Sequence, residues 1–313
     1  MAGSLVDCAV FTNLTRDHLD YHQTMEAYAA AKARLFHWEG LRAAVINHDD
    51  AFGRALIAGT SAPLVLAYGL SERPADLPAS VQWVGAASVQ TTANGMSDTL
   101  ALGDERLPFA TRIIGRHNLS NLLAVAAVLV AQGLSPAEIV VHLARLQPPA
   151  GRMACQGGDN APLVVVDYAH TPDALTHILA ALRDVTTARG GRLICVFGCG
   201  GDRDPGKRPE MGRAAALGAD NVVVTSDNPR WETPDAIIAA IVDGAPGATV
   251  IEDRAEAIAT IIAAAAAEDV VLLAGKGHEQ TQEIRGQYYP FDDAMHARKA
   301  LAAWRDHVPA EVR

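Results

Sequence analysis

Leu163-Val164-Val165-Val166-Asp167-Tyr168-Ala169-His170-Thr171-Pro172-Asp173 decides the fold. Its four leading residues are apolar and mostly β-branched, too short a run for a helix and too uniformly apolar for a strand with one wet face. The run ends on an aspartate. Thr171 and Pro172 then supply an N-cap and a first helical position. Strand, polar tip and helix recur downstream. Short Val/Ile/Leu runs at 193–197, 221–225, 249–251 and 270–273 alternate with amphipathic stretches. The pattern predicts a doubly wound α/β domain, a parallel sheet with helices on both faces, whose ligands collect at the carboxyl ends of the strands.

Upstream, Gln147-Pro148-Pro149-Ala150-Gly151-Arg152 concentrates proline and glycine and is the best linker candidate. Before it the pattern changes. Residues 5–11 read as an apolar strand and 24–36 as a helix with Met25, Tyr28, Ala29, Lys32 and Phe36 at helical spacing. Residues 43–46 are a strand, 62–110 are β-rich, and 118–131 and 136–146 are helices, with Gly133 capping the first. A chain that starts almost directly on a core strand is expected to have lost something upstream.

Length and composition allow two domains: 313 residues, half of them hydrophobic. Acidic residues outnumber basic ones, 36 to 26, which disfavours nucleic acid as a partner. The first residues lack the basic start and apolar core of a signal peptide, and no stretch is long and apolar enough to span a membrane, so the expectation is a soluble cytoplasmic protein. Cys8, Cys155, Cys195 and Cys199 form no C-x-x-C pair and read as buried reduced thiols.

Several stretches carry chemistry. Thr12 to His22 packs His18, His22, Asp17 and Asp20 close together, groups that suit a divalent cation. The spacing of His18 and His22 matches a zinc helix, but Leu19 stands where the catalytic glutamate would be, which argues against a metalloprotease. Lys32 lies on the apolar stripe of its helix. It either snorkels to solvent or is buried as a neutral amine able to form a carbamate, an oxygen ligand for magnesium. His117, Asn118 and Asn121 open a helix, where anions are favoured, and an ordinary cap is the alternative. Asp167 at a strand tip could accept from ribose hydroxyls, and His170 could stack on a base.

Gly201-Asp202-Arg203-Asp204-Pro205-Gly206-Lys207-Arg208 nearly spells a phosphate-binding loop. Arg208 stands where a hydroxyl would hold the metal of ATP, Pro205 removes a backbone donor, and two aspartates oppose phosphate. A carboxylate suits its cations better. Thr225-Ser226-Asp227-Asn228-Pro229-Arg230 and Gly275-Lys276-Gly277-His278-Glu279 follow two other strands and add both acids and a guanidinium. Such tips suit a zwitterion with two amino-acid heads.

Taken in order, these motifs resemble the Mur ligase family, over most of the chain from Phe11 to Lys299. The resemblance implies residues 1–147 as a partial central ATP-binding domain and 148–313 as a Rossmann-like, amino-acid-binding C-terminal domain. It implies an ATP-dependent ligation of meso-diaminopimelate to UDP-N-acetylmuramoyl-L-alanyl-D-glutamate through an acyl phosphate, by a cytoplasmic monomer with ATP and Mg2+. Lys32 matches the lysine that becomes carbamylated and, with His18, holds a magnesium ion. Asn118, Asn121, Arg152, Asp167 and His170 match nucleotide-binding positions. Arg203, Asp227, Asn228, Pro229, Arg230, Gly275 and Glu279 match positions that bind diaminopimelate, with Arg230 on the distal carboxylate that lysine lacks. The family's Gly-x-x-Gly-Lys-Thr/Ser loop lies upstream of the first strand, so this chain alone is expected to be inactive. A non-catalytic binding module derived from the family is the alternative.

Overall fold

The structure, a computed structural model, describes residues 5–15 and 19–307. The chain forms two units. One takes the described residues up to Gln90 with Met96–Thr111 and Arg116–Leu146. The other takes Thr91–Gly95, Arg112–Gly115 and everything described from 147 on. No linker signal marks the two short upstream stretches of the second unit. The Thr91–Gly95 turn is held there by Arg189, whose Nη1 donates to Ala93 O and Asn94 Oδ1, each at 2.9 Å.

In the first unit, β1 (Cys8–Phe11), β2 (Ala43–Asn47), β3 (Leu64–Gly69) and β4 (Gln82–Ala86) run parallel in that order. β5 (Gln90–Thr92) falls mostly in the Thr91–Gly95 stretch of the second unit; in the first, β6 (Gly95–Leu102) and β7 (Glu105–Thr111) extend the sheet, with β6 antiparallel to both β4 and β7. The first strand is shorter than the sequence suggests, since Leu5 and Val6 lie outside it. After the short α1 (Leu19–His22), the expected single helix is α2 (Met25–Ala33), capped by Thr24, followed by a 3-10 turn over Arg34–His37. α3 (Ala51–Gly59) is capped by Asp50, whose carboxylate accepts from Phe52 N and Gly53 N. α4 (Arg116–Ala131) starts two residues earlier than expected, so Asn118 lies in its first turn and is not its cap. α5 (Pro136–Arg145) carries a full capping box from Ser135 and Glu138.

In the second unit the sheet order is β12-β11-β10-β13-β9-β8, where β8 is Ala154–Gly157, β9 Leu163–Asp167, β10 Leu193–Phe197, β11 Asn221–Val224, β12 Thr249–Val250 and β13 Val270–Ala274. β9 to β13 are parallel; β8, unforeseen in the sequence, is an antiparallel edge. Alternate strand residues serve opposite faces. Leu163, Val165, Cys195, Phe197 and Leu272 pack under α6 (Pro172–Arg189), α7 (Lys207–Gly218) and α8 (Pro234–Val242). Val164, Val166, Ile194, Val196 and Leu273 pack under α9 (Arg254–Ala264) and α10 (Asp293–His307). This is the predicted doubly wound arrangement. The chain winds from β9 out to β12, then returns to lay β13 between β9 and β10. The reversal opens a crevice at the strand tips. A hairpin, β14 (Thr281–Ile284) with β15 (Gln287–Pro290), follows β13 and was also not anticipated.

Candidate functional site

A cleft of about 370 Å³ opens in the second unit at the carboxyl ends of its strands, lined by residues that include Arg203, Asp227, Asn228, Arg230, Gly275 and Glu279. They come from three separate loops, those after β10, β11 and β13. His170, from the loop after β9, and Lys207 also reach it. Pro229 follows Asn228 in the same loop and is buried.

Each position has a local cause. Asp227 is 8% exposed; its Oδ1 accepts from Asn228 N at 2.7 Å. Burial pushes its carboxyl above the usual carboxylate range, against the pull of the Arg254 and Lys276 cations, while the Glu279 and Asp293 charges add to the rise. Gly275 adopts φ +109°, and a Cβ there would stand 2.9 Å from Asp227 Oδ2, so the loop tolerates only glycine beside the acid. Arg230 takes a left-handed φ of +52° and is pinned to the hairpin, its N–H donating to Glu283 O and its carbonyl accepting from Arg285 N. Its Nε donates to Glu283 Oε2 at 3.0 Å and its Nη1 to Gly201 O at 2.7 Å. Arg203 is exposed and makes no hydrogen bond with the described residues, leaving its guanidinium for a ligand. The cleft thus offers two guanidinium groups, the Lys207 ammonium and three carboxylates, Asp204, Asp227 and Glu279, a set that matches carboxylate and ammonium groups on one small molecule.

The loop at 201–208 needs a correction. Arg208, read as one of its ligand-facing cations, is 4% exposed and forms a two-point pair with Glu232, Nη1 to Oε2 at 2.9 Å and Nη2 to Oε1 at 2.7 Å. It braces the loop. Lys207 lines the cleft and donates to His170 O at 2.9 Å.

The expected nucleotide positions fall in both units. In the second, Asp167 is buried and already accepts from Met153 N and Ala169 N, each at 2.8 Å, so its first role is to hold the strand tip together. His170 is exposed, packs on the Tyr168 ring at 4.6 Å, and its Nδ1 lies 2.8 Å from Tyr168 O. The Arg152 guanidinium lies 5.3 Å from the same ring. Three flat or charged groups therefore meet at the tip of β9. In the first unit, Asn118 is half-buried and Asn121 exposed, one turn apart on α4.

Lys32 is neither fully buried nor free. It is half-buried, and its Nζ donates to Asn13 O at 3.0 Å and lies 4.9 Å from the Tyr28 ring centroid. It borders a groove of about 530 Å³ with Phe11, Thr12, Arg34 and Trp38. His18 lies outside the described residues. Among the described residues no three His, Cys, Asp or Glu side chains converge as a metal site. Lys32 alone does not make a magnesium site.

Sequence reading passed over two groups. Lys276 carries no functional signal in its motif and Glu283 none in the sequence; the one sits fully buried between Asn228 and Glu279, the other anchors Arg230. Nothing in their spacing signals this: Glu283 reaches Arg230 from the hairpin, and Lys276 meets Asn228 from the loop after β11, so each role depends on loops far apart in sequence.

Two family profiles match the chain: the Mur ligase middle domain over residues 2–129 and the Mur ligase glutamate ligase domain over 151–277. The chain belongs to the Mur ligase family. Among similar proteins, the UDP-N-acetylmuramoyl-L-alanyl-D-glutamate–2,6-diaminopimelate ligase of Ralstonia nicotianae is 50% identical over 305 residues, 96% of this chain and 59% of that protein. The enzyme of the same name from Pseudomonas aeruginosa is 52% identical over 304 residues, 95% of this chain and 60% of its own length. This Mur ligase chain therefore spans about three-fifths of these relatives. A solved structure of a ligase of that name matches with a TM-score of 0.75 at 40% identity, covering 96% of this chain and 61% of the other. Folylpolyglutamate synthase from Thermotoga maritima, at 18% identity and a TM-score of 0.64, shares the fold. Among the described residues, no helix is long and apolar enough to cross a membrane.

Proposed function

We propose that this chain is the amino-acid-selecting part of an ATP-dependent, cytoplasmic ligase that joins meso-diaminopimelate to UDP-N-acetylmuramoyl-L-alanyl-D-glutamate in peptidoglycan biosynthesis. The observation that carries this is the cleft where Arg203, Asp227, Arg230 and Glu279 gather from three loops. Diaminopimelate has an ammonium and a carboxylate at each end; lysine lacks the second carboxylate. A guanidinium meets a carboxylate at two points, and an acid takes an ammonium, so this cleft fits an amino-acid head of the kind lysine does not have.

ATP, when bound, would supply the phosphoryl group that turns the D-glutamyl carboxylate into an acyl phosphate, releasing ADP; attack by the free amine of diaminopimelate would then form the amide with loss of inorganic phosphate and a proton. The chain's own contribution is placement. Arg203 and Arg230 hold carboxylate, and Asp227 and Glu279 hold ammonium, so that the opposite amine is presented in one orientation. Arg152, Asp167 and His170 at the tip of β9, with Asn118 and Asn121, are assigned to the nucleotide. Lys32, as a carbamate, and His18 are assigned to magnesium. The domain division at 147/148 belongs to the same proposal, as does a monomeric state.

The experiment is a calorimetric titration of the chain with meso-diaminopimelate and, separately, L-lysine. Diaminopimelate is expected to bind the more tightly; equal or stronger binding of lysine sinks the substrate assignment. A second reading rests on the sequence, in which no Gly-x-x-Gly-Lys-Thr/Ser stretch occurs in the 313 residues. On that ground the chain alone binds its amino acid without turnover. A phosphate-release assay with all substrates tests it, and release at a normal ligase rate refutes it.

A further inference from the structure

Lys276 is the least expected charge in the second unit. β13 ends at Ala274, and Gly275 and Gly277 both take left-handed backbone, φ +109° and +55°. Neither turn is open to another residue: a Cβ on Gly277 would lie 2.7 Å from the Tyr168 Cβ. The two glycines turn the residue between them inward. The Lys276 side chain is fully buried, and it is not part of the cleft wall.

Its ammonium has two partners. Nζ donates to Asn228 Oδ1 at 2.9 Å and to Glu279 Oε2 at 3.1 Å. Asn228 closes the triangle, its Nδ2 donating to the same Glu279 Oε2 at 2.8 Å, while its Oδ1 also accepts from Glu283 N at 3.0 Å. Both protein donors therefore go to Oε2. Glu279 Oε1 has no hydrogen-bond partner among the described residues, and the Glu279 side chain remains 34% exposed on the cleft. A lone carboxylate on a flexible side chain rotates freely; one held through a single oxygen by a buried cation and a fixed amide presents its other oxygen in one direction.

We propose that Lys276 is a positioning residue of the cleft: it fixes the Asn228 amide and holds Glu279 by one oxygen so that the other faces a ligand ammonium. This rests on the reading of the cleft as an amino-acid site. A buried ammonium needs polar partners in any role; what ties this one to the cleft is that both of its partners, Asn228 and Glu279, line the cleft wall. Lys276 also acts on Asp227, whose carboxyl is raised first by burial and faces Arg254 from α9, Lys276 and Glu279 from the loop after β13, and Asp293 from α10. Removing the Lys276 cation withdraws one of the two charges that pull this carboxyl down.

The test is meso-diaminopimelate affinity and its pH profile for the full chain, compared with Lys276→Met, Glu279→Gln and the double variant. The expected result is binding weakened about tenfold or more in Lys276→Met. The double variant should be no weaker than the worse single one, because both remove the same contact. The acid limb of the Lys276→Met profile should move to higher pH. Additive losses with an unmoved acid limb overturn the proposal and leave Lys276 a packing residue. Should Lys276→Met fail to fold by circular dichroism, Lys276→Gln, which keeps a donor and removes the charge, is read in the same way. Failure of both to fold also overturns the proposal in favour of a purely structural role. Absence of binding to the unaltered chain defeats the amino-acid reading itself, and the positioning role with it. Binding to the unaltered chain that is unchanged in the Lys276 variants defeats only the latter.

Discussion

Arg230 and Glu283 are joined at 3.0 Å, Nε to Oε2, with both side chains 20% exposed. Gly201 O takes Nη1 at 2.7 Å, so two of the three guanidinium nitrogens are fixed, and Nη2 is without a hydrogen-bond partner among the described residues. A Cβ on Gly200 would stand 2.8 Å from Nη1, which makes the glycine a condition of the arginine's place. Arg230→Lys is therefore expected to weaken meso-diaminopimelate binding about tenfold or more, since a lysine ammonium cannot keep the contacts to Glu283 and Gly201 and also offer the free Nη2 donors to a carboxylate. Lysine binding should change little. The paired titrations check this; an equal loss for both ligands would show that Arg230 does not read the distal carboxylate.

Asp227 should trade stability for binding. Burial raises its carboxyl pKa in the fold. A carboxyl raised in this way supports the fold while protonated, below the ordinary aspartate value of about 3.9, and loses that support as pH rises through the raised value. Above that raised value the ionised group is a burden on the fold. Asp227→Asn, which still accepts from the Asn228 N–H, is expected to raise the melting temperature near pH 7, by about 2–4 °C for each kcal/mol relieved, while weakening diaminopimelate binding. Thermal melts at pH 7 and at acid pH check the sign: the gain should shrink at acid pH.

Arg254 and Asp293 form a two-point pair with both side chains fully buried, Nε to Oδ1 and Nη2 to Oδ2, each at 2.7 Å. Nη2 also donates to Ala274 O at the end of β13. Breaking the pair by Arg254→Met should cost about 3–5 kcal/mol, because it leaves a buried carboxylate alone. The double change Arg254→Met with Asp293→Leu should cost less than the single one. Denaturant unfolding measures both, and a double variant worse than the single would show that the pair stabilises beyond its own desolvation.

Burial pushes the thiols of Cys195 and Cys199 up to about 12. Thiolate is the reactive form, so both should resist a thiol reagent at pH 8 in the folded chain and react fully in denaturant. Mass spectrometry after labelling locates the adducts. Rapid modification of Cys195 in the folded chain would contradict its burial beneath α6.

The second unit was legible because its signals are local. Strands buried on both faces must be continuously apolar, and the Thr171-Pro172 start of α6 is written in adjacent residues. β8 and the hairpin were missed for the opposite reason. Cys155-Gln156 and the polar, Tyr-bearing stretch at 281–290 have neither alternation nor a continuous apolar run, and they are strands because neighbours pair with their backbones. The cleft residues were named from their positions at strand tips, together with the family resemblance. Their partners were not, since Glu283 and Lys276 gain their roles only when separate loops meet.

By itself the sequence determined the doubly wound sheet, the loops that bear charge, and the residue types those loops present. Periodicity and capping act between near neighbours, and the chain carries them wherever it folds. Only the tertiary structure decided which charges are spent and which are free. Arg208 and Arg203 stand five residues apart in one loop; the first is closed against Glu232 and the second opens onto the cleft. That difference depends on Glu232, 24 residues beyond Arg208 and just before α8, and no pattern within the loop contains it.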